Sequence, residues 1–128
     1  MEFSHTIIYV QNVEKTMRFY VEAFGFEGIF VHESGLYGEL ETGGTKLAFA
    51  GESMAETNFT VPIVPNRPKS DPAGMELVFT VDNVSDAYET AVSKGAAPLS
   101  EPVQKPWGQV VAYVRDINGV LIELASRM

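Results

Sequence analysis

Cysteine is absent from this 128-residue chain, which excludes a disulfide framework, a thiolate metal site and a cysteine nucleophile. Histidine is almost absent, with only His5 and His32, so any site has two imidazoles at most. No apolar run approaches the roughly 20 residues that span a bilayer, and no basic region followed by a long apolar stretch opens the chain as a secretory leader would. Positive charge is scarce: 9 Lys and Arg against 17 Asp and Glu leave a formal net charge of -8. Such a field repels phosphate backbones. The expectation is a soluble cytoplasmic protein that binds neither nucleic acid nor membrane. The acidic balance is compatible with cationic ligands or divalent metals, and equally with plain solvation. There is no P-loop, dinucleotide fingerprint, nucleophile elbow or zinc ribbon.

What is present is an internal repeat. His5-Thr6-Ile7-Ile8-Tyr9-Val10-Gln11-Asn12-Val13 is echoed by Glu76-Leu77-Val78-Phe79-Thr80-Val81-Asp82-Asn83-Val84. Each copy runs from an apolar strand pattern through a polar turn into a helical pattern. In the first copy Val13, Met17, Phe19, Tyr20, Ala23 and Phe24 recur at helical spacing, with Asn12 as N-cap and Gly25 as stop. Strands are expected at 26–33, 36–42 and 46–51, separated by Ser34-Gly35 and Gly43-Gly44. Pro62, Pro65, Pro68 and Pro72 then exclude a persistent helix or central strand. The pattern restarts with a strand at 75–81, a helix at 84–94 and strands near 97–104, 109–115 and 120–126. The chain therefore reads as one domain, 1–128, built of module one (1–57), a Pro-rich connection (58–74) and module two (75–128), each module β-α-β-β-β.

His5 in the first strand, Phe19-Tyr20 with Phe24-Gly25-Phe26, and the closing Asp116-Ile117-Asn118-Gly119-Val120-Leu121-Ile122-Glu123-Leu124 together resemble the vicinal oxygen chelate superfamily of glyoxalases, bleomycin-resistance proteins and extradiol dioxygenases. The resemblance covers essentially the whole chain. It implies an α+β fold in which two tandem βαβββ modules form a cupped, barrel-like mixed sheet with helices outside and a ligand or metal inside.

Strand alternation puts His5, Ile7 and Tyr9 on one face, Glu76, Val78 and Thr80 on the equivalent face, and Glu123 beside Leu121 and Ala125. The repeat mate of Glu123 is Ala48, which carries no chemistry. Carried over residue by residue, the resemblance implies His5, Glu76 and Glu123 as metal ligands, with Glu123 also a catalytic base, for a divalent ion such as Mn²⁺, Fe²⁺, Ni²⁺, Zn²⁺ or Mg²⁺. Two departures stand out: Ala48 is no ligand, and Glu76 replaces a residue that is commonly histidine in the metalloenzymes. In the other reading His5 hydrogen-bonds to Glu123 or Glu76 in a metal-free pocket. Tyr37, Trp107 and Tyr113 are candidate pocket walls or packing residues, Lys46 a candidate anion contact beside Ala48, and His32 a solvent-facing residue.

Two functions follow. One is a metal-dependent lyase, isomerase or oxygenase acting on a vicinal-oxygen substrate. The other is a metal-free protein of the bleomycin-resistance type that sequesters a cationic toxic compound. A homodimer is expected in either case, since the resemblance implies cups stabilised by pairing.

Overall fold

The structure is a computed structural model that describes residues 1–27 and 29–128. The chain divides into two compact units, Met1–Pro65 and Asn66–Met128.

In the first unit β1 (His5–Val10) leads into α1 (Val13–Phe24), followed by β2 (Glu27–Val31), β3 (Tyr37–Glu41), β4 (Lys46–Gly51) and α2 (Glu52–Asn58). The helix begins where Asn12, in extended backbone, accepts the Lys15 amide on its side chain, satisfying one of the donors that a helix start leaves unpaired. It ends at Gly25, whose φ of 75° is the left-handed cap conformation. One face of α1 is apolar and buried: Val13, Met17, Tyr20 and Ala23 lie under 4 % exposed. The Tyr20 ring packs on Phe49 of β4 at 4.8 Å between centroids. The sheet order is β1-β4-β3-β2, with β1 parallel to β4 and the rest antiparallel.

The second unit repeats this plan with β5 (Glu76–Val81), α3 (Val84–Ser93), β6 (Ala97–Gln104), β7 (Val110–Arg115) and β8 (Leu121–Ser126), ordered β5-β8-β7-β6. Asn83 caps α3 as Asn12 caps α1. Burial alternates along β8, where Ile122 and Leu124 are covered while Leu121 and Glu123 are only half-buried, so one face of the sheet is packed and the other is open. The register reproduces that of the first unit. Ile7 lies opposite Ala48 as Val78 lies opposite Glu123.

The expected α+β plan of two βαβββ modules is borne out as two four-stranded mixed sheets, one ending in β1 and β2 and the other in β5 and β6. A seven-residue helix, α2, follows β4 where none was expected; it is too short to display an apolar period and buries only Ala55. Strand β6 does pair along its length, but its register slips twice, near Ser100, in a segment whose Pro98 and Pro102 have no amide hydrogen to give. Among the described residues no helix is long and apolar enough to cross a membrane.

Candidate functional site

The open face of the first sheet is set by register. His5, Ile7 and Tyr9 of β1 stand beside Lys46, Ala48 and Ala50 of β4, which face Glu39 and Tyr37 of β3. A carboxylate can only accept, so the 3.0 Å contact of His5 Nε2 with Glu39 Oε2 makes Nε2 the protonated nitrogen. In neutral His5, Nδ1 is then the acceptor, taking the Ser4 hydroxyl proton at 2.9 Å. Tyr37 donates to the same Glu39 oxygen at 2.7 Å. That hydroxyl, followed by His5 and the positive charge of Lys46, holds the Glu39 carboxyl below its ordinary range against an opposing desolvation. Burial together with anionic Glu39 pushes Tyr37 up to about 12. Lys46 itself pairs with Glu41, whose pKa is lowered by that bond. At the far end of the face Tyr9 meets the Phe59 ring edge-on at 6.2 Å and accepts a hydrogen bond from Asn58 at 3.3 Å.

On the open face of the second sheet Tyr113 of β7 lies opposite Glu123 of β8 and donates to its Oε1 at 2.5 Å. That bond, with desolvation and the negative charges of Glu123 and Glu76, pushes Tyr113 up to about 12. Glu76 pairs with Leu121, two positions from Glu123 along the neighbouring strand, so the two carboxylates are diagonal neighbours on one face. Although Glu76 is exposed as a residue, desolvation of its carboxyl and then the charge of Glu123 raise its pKa.

The sequence-derived candidates thus separate by unit. Glu76, Glu123 and Tyr113 come together on the second sheet. His5, Tyr37 and Lys46 lie on the first, where each is engaged by a carboxylate. Trp107 is 62 % exposed in the β6–β7 turn and donates its indole N–H to Gln109 at 3.0 Å. His32 is exposed, and its ring Nδ1 bonds locally to Ser34. Among the described residues no group of three or more His, Asp or Glu side chains is placed to hold a metal ion.

Two residues escaped the sequence reading. Glu39 sits directly opposite Ala48, so a carboxylate from β3 stands beside the position that is empty on β4. Alternation would have shown it, because buried Leu40 fixes Tyr37, Glu39 and Glu41 on the other face. The second is Arg115, which shares the open side of β7 with Tyr113.

The profile of the Glyoxalase/Bleomycin resistance protein/Dioxygenase superfamily matches residues 2–124. A crystal structure of a glyoxalase-related enzyme from Fulvimarina pelagi superposes with a TM-score of 0.82 at 24% identity, covering 97% of this chain and 86% of the other. A glyoxalase/bleomycin resistance protein/dioxygenase family enzyme from Burkholderia phytofirmans PsJN gives 0.77 at 20% identity with both chains fully covered. At these identities the likeness is one of fold. A 4-hydroxyphenylpyruvate dioxygenase of Yarrowia lipolytica (strain CLIB 122 / E 150) is 29% identical over 112 residues, 78% of this chain. The match spans only 27% of that enzyme's length.

Proposed function

Since the chain belongs to the Glyoxalase/Bleomycin resistance protein/Dioxygenase superfamily, a scaffold that hosts many small-molecule chemistries, we propose that it binds a small cationic molecule on the open face of its second sheet without needing a metal. The observation that carries this reading is the Glu76–Glu123 pair, two carboxylates that are diagonal neighbours on one face, where desolvation and then the charge of Glu123 raise the Glu76 pKa. An ammonium or amidinium ion with hydrogen-bond donors would relieve that repulsion and satisfy both acceptors. Tyr113 orients Glu123 for it, and exposed Trp107 is an aromatic surface that suits a cation or a ring.

Binding of cationic antibiotics to chelator-treated protein, followed by calorimetry, tests this directly. Glu123→Gln is expected to weaken affinity roughly ten-fold, the loss of about 1.4 kcal/mol from one charge-assisted bond. Replacement of His32 should leave it unchanged. Affinity that vanishes on chelation, or that ignores Glu123→Gln, sinks the reading.

The similarity to part of a dioxygenase favours a second reading, a metal-dependent lyase, isomerase or oxygenase with a vicinal-oxygen substrate. His5, Glu76 and Glu123 would then be ligands of Mn²⁺, Fe²⁺, Ni²⁺, Zn²⁺ or Mg²⁺, with Glu123 also the catalytic base. Near-stoichiometric metal by plasma mass spectrometry, lost in Glu123→Gln, would establish it in place of the first. A cytoplasmic homodimer belongs to both readings. The exposed Phe3, Ile7 and Val78 are apolar surface for such pairing, and sedimentation equilibrium reports the stoichiometry.

A further inference from the structure

Among the described residues of the second sheet's four strands, Arg115 is the one Lys or Arg. It pairs with Leu121, and Leu121 pairs on its other side with Glu76. Arg115 and Glu76 are therefore two strand spacings apart, about 10 Å, a span that these two long side chains together can bridge. Electrostatics alone would put the guanidinium on the carboxylate. It goes instead to backbone carbonyls: Nε donates to Gly119 at 2.9 Å, Nη1 to Pro68 at 3.2 Å, and Nη2 to Ser70 at 2.7 Å and Arg67 at 3.3 Å. Gly119 makes this possible. Its φ is +97°, and a Cβ there would meet the Arg67 carbonyl oxygen at 2.5 Å and Arg115 Nη2 at 2.7 Å.

We propose that this clasp is a specificity device: by holding Arg115 on four carbonyls of the 67–70 segment and the β7–β8 turn, it keeps the sheet's own cation off Glu76 and leaves the carboxylate face free for a cation from solution. The inference rests on the reading of that face as the cation-binding surface. The device depends on the planar fork of arginine, whose donors diverge toward several acceptors at once. A lysine ammonium is a single point on a flexible stem and does not hold such a set. Arg115→Lys thus keeps the charge and loses the clasp, whereas Arg115→Met loses both.

The test uses benzamidinium as the probe, titrated into chelator-treated full-length protein by NMR, together with a crystal structure of Arg115→Lys. Expected are at least ten-fold weaker binding in Arg115→Lys, binding within two-fold of the parent in Arg115→Met, and the lysine Nζ within 4 Å of the Glu76 carboxylate, an ion-pair distance. The proposal is overturned if Arg115→Lys binds as the parent does, if Arg115→Met is weakened equally, or if the crystal shows Nζ away from Glu76. When the parent itself does not bind benzamidinium, the cation-binding reading is what fails, and the position of Nζ alone decides whether the clasp withholds a charge. Should Arg115→Lys not fold, Gly119→Ala frees Arg115 by collision and is read by the same two measurements, with faster tryptic cleavage after Lys69 reporting that the segment has been released.

Discussion

The two units follow the same path in the same register, yet a carboxylate on each open face is shifted in the opposite direction. In the first, hydrogen bonds from Tyr37 and then His5, with the charge of nearby Lys46, lower the pKa of Glu39 against its desolvation. In the second, desolvation and then the charge of Glu123 raise the pKa of Glu76. Both faces contain a Tyr–Glu hydrogen bond, but they make it differently. Tyr37 and Glu39 are two apart on one strand, whereas Tyr113 reaches across to β8. A duplicated backbone therefore fixes where side chains stand, and a handful of substitutions decides which partners each carboxylate meets. The first face is internally satisfied and the second is not, which is why the proposed ligand is assigned to the second.

The largest expected effect comes from forcing the first face to imitate the second. Ala48 is fully buried between Ile7 and Glu39. Ala48→Glu should cost about 3 kcal/mol of stability, since it buries a carboxylate opposite another. Added Mn²⁺ should recover part of that loss, because His5, Glu39 and the introduced carboxylate would then have a cation in common. Thermal melts with and without the metal measure both; an unchanged melting temperature would mean that the face has room and solvent that the structure does not show.

Next comes the pair Tyr113→Phe and Tyr37→Phe. Glu39 keeps His5 when Tyr37 loses its hydroxyl, whereas the described partner of Glu123 is Tyr113 alone. Urea denaturation should show a loss of about 1 kcal/mol for Tyr113→Phe and roughly half that for Tyr37→Phe, as both sites are part-exposed. Equal losses would break the contrast between the faces.

The smallest effect is in pH dependence, a few tenths of a kcal/mol for such solvent-screened groups, and its sign differs between units. The folded pKa of Glu39 is depressed, so its contribution is present above the unfolded carboxylate pKa and lost as pH falls through the folded value. Glu76 has a raised folded pKa, so the folded state holds the extra proton between the two values and stability falls as pH rises through that window. Glu39→Gln should therefore be less stable than the parent at pH 7, with the gap closing on acidification. Glu76→Gln should be more stable at pH 7, with its advantage gone in acid. Two profiles of the same sign would show that the faces are alike after all.

Much of this was legible before any coordinates. Asn12, Gly25 and Asn83 marked helix ends because capping is local chemistry, and each sits where its side chain or its positive φ is required. Period-two alternation assigned His5, Glu76 and Glu123 to open faces, and the repeat identified Ala48 as the mate of Glu123, as the strand registers confirm. Helix α2 was missed because seven residues with one buried side chain leave no periodic trace. Glu39 was missed because its importance lies in being opposite Ala48 and beside His5, 34 positions away in the chain.

The repeat and strand alternation, both periodic properties, determined the two-unit βαβββ plan and which side of each strand every polar candidate occupies, while the family was legible as a resemblance carried by His5, Phe19-Tyr20, Phe24-Gly25-Phe26 and the 116–124 ending. Partner choice was decided only by the tertiary structure. A hydrogen bond or charge contact depends on distance between residues remote in sequence, so it took the folded sheets to give His5 to Glu39, Tyr113 to Glu123, and Arg115 to backbone carbonyls and not to Glu76.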